Sequence, residues 1–143
     1  MNDQPGPASS TGRSLRLLVI ADAKIPTPPQ GYGGAERIVA LLCQGLVADG
    51  HHVTLLAAKG SRDYGRLVTY SWAGGKPYPY RVFCKLDFFA KSLLLSRRID
   101  AAISFARADY LLPLLRLGMP IVCNFQNPIH PKEVDFLERH ARG

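Results

Sequence analysis

Cysteine is scarce. Cys43, Cys84 and Cys123 are odd in number, far apart and outside any CxxC spacing, so neither a disulfide framework nor a zinc site is expected. Each lies in an apolar run, the setting of a buried, reduced thiol. Long apolar stretches are missing too, and none reaches the roughly 20 residues that a membrane-spanning helix needs. Met1 to Arg13 is rich in Pro, Gly and Ser and has no apolar core of the secretory-signal kind, so residues 1–13 read as a disordered leader. Acidic side chains are few, 11 against 18 basic ones, for a formal charge of +7. That excess suits nucleic acid, an anionic membrane surface or phosphate-bearing ligands. The basic residues are scattered, however, with Arg97-Arg98 the only adjacent pair, so nucleic acid is not an expected partner. A phosphate-binding P-loop is excluded because Gly74-Gly75-Lys76 is followed by Pro77 rather than by Ser or Thr.

What is present is ordinary globular composition, 47% hydrophobic and 20% charged. A chain of 143 residues supports one domain with a substantial core, here 14–143, but not two domains facing each other across a cleft. Leu15 to Ala21 is a near-continuous apolar run suited to a parallel strand buried on both faces. Ala23 to Gly34 holds three prolines and three glycines and must be a loop. Ala35, Ile38, Val39, Leu42 and Leu46 then follow helical spacing up to a stop at Gly50. His52 to Ala58 is a second strand, completing a right-handed βαβ unit.

Arg66 to Trp72 reads as a third strand and Gly74 to Pro79 as a loop. Val82, Leu86, Phe89 and Leu93 form one stripe of a helix reaching Arg98, the face that a crossover helix would lay on the sheet. Ala101 to Phe105 is a fourth strand, Ala108 to Leu117 a short helix distorted by Pro113, and Pro120 to Phe125 a fifth strand. A last helix starts at Pro131. Regular alternation of this kind predicts an α/β, Rossmann-like doubly wound parallel sheet ordered 3-2-1-4-5.

Ligands of such sheets bind beyond the carboxyl ends of the strands where the order reverses, here between the first and fourth strands. The residues at that edge are Asp22 and Lys24, Gly33 and Gly34, Ala106 and Arg107, then Gln126, Asn127 and His130. Gly33-Gly34 places backbone N–H groups at a helix amino terminus, where the macrodipole favours an anion such as phosphate, although a plain turn before a helix would look the same. Gly31 to Glu36 begins like a dinucleotide-binding GxGxxG. Yet its last glycine is replaced by Glu36, its loop is too long, and Ala57-Ala58-Lys59 offers no acid after the second strand, which disfavours an NAD-dependent oxidoreductase.

Pro28-Pro29-Gln30-Gly31-Tyr32-Gly33-Gly34-Ala35-Glu36-Arg37, followed through Leu46 by Gly50-His51-His52-Val53-Thr54-Leu55, resembles the amino-terminal domain of glycosyltransferase family 4. The likeness runs from Leu15 to Gln126 and weakens after Ala58. It implies a GT-B architecture of two Rossmann-like domains facing a cleft, the first binding acceptor and the second, a carboxyl-terminal donor domain missing from this chain, holding most of the nucleotide sugar. It implies transfer of a hexose with retention of configuration, without a catalytic metal or other cofactor; the chain contains no D-x-D pair.

By resemblance, Gly33 and Gly34 approach the donor diphosphate. Glu36 takes a structural or substrate-binding place in the first helical turn, and Arg37 is exposed or pairs with substrate. Relatives carry histidines after the fourth and fifth strands, where this chain has Phe105-Ala106-Arg107 and Phe125-Gln126-Asn127. Gln126 and His130 are therefore the candidate catalytic residues, and Lys24, Glu36, Arg107 and Asn127 the candidate substrate contacts. The acceptor implied is a sugar, a lipid-linked molecule or another small molecule. A different class of function is a stand-alone binding module that kept the fold and lost turnover.

Tyr80 to Arg98 interleaves Arg81, Lys85, Lys91, Arg97 and Arg98 with Val, Phe and Leu. Such a segment either packs on the sheet or lies on anionic lipid. The expected location is cytoplasmic, with peripheral contact at the inner face of the membrane as the second option.

Overall fold

A computed structural model of the chain describes residues 12–71 and 79–141, the side chains of 79–81 and 84 excepted. Residues 1–11 of the expected leader, Trp72, the Gly74–Lys76 stretch and the side chains of Arg81 and Cys84 lie outside the described residues. Five strands, β1 (Arg16–Ile20), β2 (His52–Ala57), β3 (Arg66–Thr69), β4 (Ala101–Ser104) and β5 (Ile121–Cys123), form one sheet. The order is β3-β2-β1-β4-β5 and every pairing is parallel, as the alternating pattern predicts. The helices are α1 (Gly34–Ala48), α2 (Pro79–Ser96), α3 (Leu112–Arg116) and α4 (Pro131–His140). A 3-10 turn over Ala108–Leu111 leads into α3, so the distortion expected around Pro113 is a change of helix type one residue before it.

Strand side chains alternate between two cores. On one face, Val19, Ala21, Val53, Leu55 and Ala57 pack against Val39 and Cys43 of α1. On the other, Leu18, Ile20, Leu56 and Ala102 meet Phe88 and Leu95 of α2 and Leu111, Leu114 and Leu115. Phe88 is fully buried, stacked on Tyr70 at 6.5 Å and meeting Tyr110 edge-on at 5.7 Å.

Three expectations need correction. Of the Val82, Leu86, Phe89 and Leu93 stripe, Phe89 packs against the core but Val82, Leu86 and Leu93 are exposed, and the buried face of the helix is that of Phe88, Ser92 and Leu95. α2 is apolar on both sides, so hydropathy periodicity had no means of choosing between them. Helix α1 buries Glu36, Val39, Ala40 and Cys43 while Ile38 is exposed, which rotates the core-facing stripe by about one residue. Among the cysteines, Cys43 is fully buried and its thiol is pushed up to about 11 by burial, but Cys123 on the short edge strand is only half-buried.

Polar contacts pin the layers. Lys91 of α2 reaches Thr69 O (2.6 Å), Ser71 Oγ (2.9 Å) and Asp87 (2.8 Å), tying the helix to the end of β3. Burial pushes the Asp87 carboxyl up, but hydrogen bonds from Lys91 and Ser71 outweigh it and hold the group below its ordinary range. At the opposite edge, Asp100 accepts from the guanidinium and the backbone N–H of Arg16, which lower its pKa from 3.8 to about 2. A carboxylate depressed in the folded state stabilises fully above its unfolded pKa, and that contribution is lost as pH falls from 3.8 to about 2. Asp100→Asn is accordingly expected to be less stable than the parent at neutral pH, with the difference shrinking across this window in urea denaturation measured at several pH values.

Candidate ligand cleft

The carboxyl ends of the strands are fixed by backbone bonds that continue past the regular ladder. Ala21 N donates to Leu56 O, Phe105 N to Ile20 O (both 2.9 Å) and Asn124 N to Ser104 O (2.8 Å). The Tyr70 hydroxyl donates to Ala21 O (3.0 Å) and buried Ser104 Oγ accepts from Ala106 N (3.1 Å), so the turns after β1 and β4 leave the sheet in set directions. A cleft of about 450 Å³ opens over these ends. It lies between β1 and β4, at the predicted reversal of strand order. Asp22, Glu36, Arg107, Asn124, Gln126, Asn127 and Glu133 supply its polar lining; Ala35, Val39, Phe105 and Pro128 supply apolar wall.

Four predicted residues, Glu36, Arg107, Gln126 and Asn127, thus meet in one cleft. Glu36 is buried, 6% exposed, in the first turn of α1 where the macrodipole stabilises a carboxylate. Arg107 is exposed at the head of the 3-10 turn. Gln126 donates from Nε2 to Asn124 Oδ1 at 2.7 Å, which aligns two side-chain amides along the wall. Arg37 is exposed and donates to Gly31 O at 2.9 Å, closing the loop before α1.

Other predicted residues lie beside the cleft rather than on it. Lys24 is exposed, and its backbone N–H donates to Asp22 Oδ1 (2.7 Å) in a turn that positions the Asp22 carboxylate. His130 caps α4: its Nδ1 accepts from Lys132 N (3.3 Å) and its backbone N–H donates to Glu133 Oε2 (3.4 Å). The glycine pair divides. Gly33 is buried with φ +153, and a Cβ there would stand 2.8 Å from both Glu36 Oε2 and Pro29 Cβ. Gly34 is exposed and a Cβ on it would meet nothing within 4 Å. Only Gly34 offers an uncovered backbone at the helix terminus, where the first N–H groups have no intrahelical acceptor.

Sequence reasoning missed Asn124 and Glu133. Asn124 was absorbed into the fifth strand, although β5 ends at Cys123 and leaves it on the ligand edge. Glu133 sits three residues after a histidine cap, a capping box whose first residue is outside the usual Ser, Thr, Asp or Asn. Among the described residues, no three His, Cys, Asp or Glu side chains converge as a metal site requires.

No curated protein matches the chain. Residues 32–142, more than half of its length, match the family model described as Glycosyltransferase Family 4, and that stretch carries α1, every strand after β1 and the greater part of the cleft lining. With a five-stranded parallel Rossmann-like sheet, the order 3-2-1-4-5 and a polar cleft at the strand carboxyl edge, the chain belongs to glycosyltransferase family 4, as a GT-B amino-terminal domain.

Proposed function

We propose that this chain is the acceptor-side domain of a retaining glycosyltransferase that moves a hexose from a nucleotide-diphosphate sugar to an acceptor hydroxyl, with a carboxyl-terminal donor domain as its partner across the cleft. The observation that carries the reading is the convergence of three side-chain amides, three carboxylates and one guanidinium in one cleft of about 450 Å³ on a family 4 fold. Amides both donate and accept, and carboxylates accept from hydroxyls, so Asn124, Gln126, Asn127, Asp22, Glu36 and Glu133 match a polyhydroxylated acceptor. Arg107 faces the same space with a permanent positive charge, suited to the departing diphosphate through charge-assisted bonds.

In this reading the departing nucleotide diphosphate is stabilised by Arg107 and by the α1 amino terminus at Gly34. The acceptor hydroxyl, held by the amide wall, attacks the anomeric carbon from the face the leaving group vacates, and its proton passes to the departing diphosphate oxygen as the anomeric C–O bond to that oxygen breaks. Positioned charge and dipoles supply the main rate effect, with neither metal nor organic cofactor taking part. Gln126 holds the acceptor; His130 acts through the α4 cap that places Glu133 on the wall.

Saccharide titrations followed by ligand-observed NMR test this. Binding of a hexose or hexoside is expected, weakened about tenfold or more by Asn127→Ala, since a buried polar contact to a sugar hydroxyl is worth about 1–3 kcal/mol. Arg107→Ala is expected to leave neutral saccharide binding near the parent value while weakening nucleotide-sugar binding. Absence of saccharide binding across a panel of hexoses, hexosides and nucleotide sugars would refute the assignment.

A further inference from the structure

α2 packs on the sheet with only half of its apolar surface. Val82, Phe83, Leu86 and Leu93 are 45–56% exposed and Leu94 is 78% exposed. At 3.6 residues per turn these five side chains fall within an arc of about 120° directly opposite Phe88 and Leu95. They line a helix about 27 Å long at 1.5 Å per residue. The arc also contains Ala90 and, at its carboxyl end, Arg97, and it contains no acidic residue. Asp87 lies beside it but is engaged by Lys91 and Ser71, and Lys85 is engaged by Asp109 at 2.6 Å. Arg97 and Arg98 are exposed just past the helix, and Arg116 and Leu117 are exposed at the end of α3, which packs beside α2.

We propose that this outward face of α2 is a docking surface for an anionic lipid bilayer. The apolar arc enters the acyl boundary while Arg97 and Arg98 contact lipid phosphates. Charge decides the occupant. A second copy of the chain would set the cationic end of one helix against a face with no carboxylate to receive it, whereas an anionic bilayer provides apolar depth and negative charge together. No helix among the described residues is long and apolar enough to cross a membrane, so the contact is one of lying on the surface. This surface is separate from the cleft and does not depend on the reading of it.

The test is co-sedimentation of the full chain with vesicles of phosphatidylcholine containing phosphatidylglycerol, against pure phosphatidylcholine. Binding is expected only to the anionic vesicles and is expected to fall with added salt. Arg97→Glu with Arg98→Glu is expected to weaken partition about twentyfold or more, at about fivefold for each basic residue near an anionic surface. Leu93→Asp with Leu94→Asp is expected to abolish partition while leaving circular dichroism unchanged, since both side chains are exposed in the fold. The proposal is overturned if the parent chain ignores anionic vesicles or if both double variants bind like the parent. It is equally overturned if ultracentrifugation shows a dimer that Leu93→Asp with Leu94→Asp dissociates, with no vesicle binding; the face then belongs to a second copy.

Discussion

Phe88→Ala is expected to lower unfolding free energy by about 3–5 kcal/mol, the cost of emptying a phenylalanine site in a packed core. Phe88 is fully buried and touches Tyr70, Phe89 and Tyr110, linking the end of β3 to α2 and to the 3-10 turn beneath Arg107. Because ordinary domains hold only about 5–15 kcal/mol in total, the loss would be a large fraction of all stability. The same truncation at Leu94, six residues along the helix, is expected to change stability by less than about 0.5 kcal/mol because that side chain is 78% exposed. Urea denaturation of the two variants therefore reads out which face of α2 is seated. Equal losses would mean that the helix is rotated from the orientation described.

The second large effect is at the glycine pair, where two adjacent alanines are expected to act in opposite directions. In Gly33→Ala the new Cβ would stand 2.8 Å from Pro29 Cβ and Glu36 Oε2, on a backbone with φ +153. Strain plus overpacking puts the expected loss at about 2–4 kcal/mol. The carboxylate can swing aside, but Pro29 belongs to the loop that shapes the approach to α1, so relief on that side moves the loop. Gly34→Ala meets open space and removes backbone freedom from the unfolded chain, so a gain of about 0.4–1 kcal/mol is expected. Its methyl group would nevertheless project at the helix terminus and weaken any anion held there. Stability and nucleotide-sugar binding measured on both variants separate the roles: Gly33 shapes the turn, and Gly34 keeps the terminus open. Comparable destabilisation by both alanines would contradict that division.

Much of the fold was legible because β1, β2 and β4 are apolar runs and the long loop before α1 is dense in glycine and proline. Leu15 to Ala21, His52 to Ala58 and Ala101 to Phe105 map onto β1, β2 and β4 within a residue or so at each end. With the strand order in hand, the ligand edge follows from topology, and four candidate residues meet there. What stayed hidden depends on packing between segments far apart or on choices among equivalent patterns. Hydropathy alone could not say which apolar side of α2 faces the sheet. Spacing did not reveal that Pro29 folds back onto Gly33, burying one glycine and leaving its neighbour open. Nor did it reveal that His130 would be used as a helix cap, since histidine is an uncommon residue in that position.

The cleft and the outer α2 face are two separate surfaces with different chemistry. The cleft collects carboxylates, amides and one guanidinium at the strand carboxyl edge, whereas the outer arc of α2 is apolar and ends in arginines. We assign saccharide binding, as a proposal, to the first surface and bilayer contact to the second.

Saccharide and nucleotide-sugar ligands are expected to enter the space between β1 and β4. Amide chemical-shift mapping during titration with a nucleotide sugar tests it most directly. The shifted resonances are expected to belong to Gly34, Glu36, Arg107, Asn124, Gln126 and Asn127, with the sheet's opposite edge at Arg16, His52 and Asp100 undisturbed. Shifts confined to that opposite edge, or spread evenly over the surface without saturation, would contradict it.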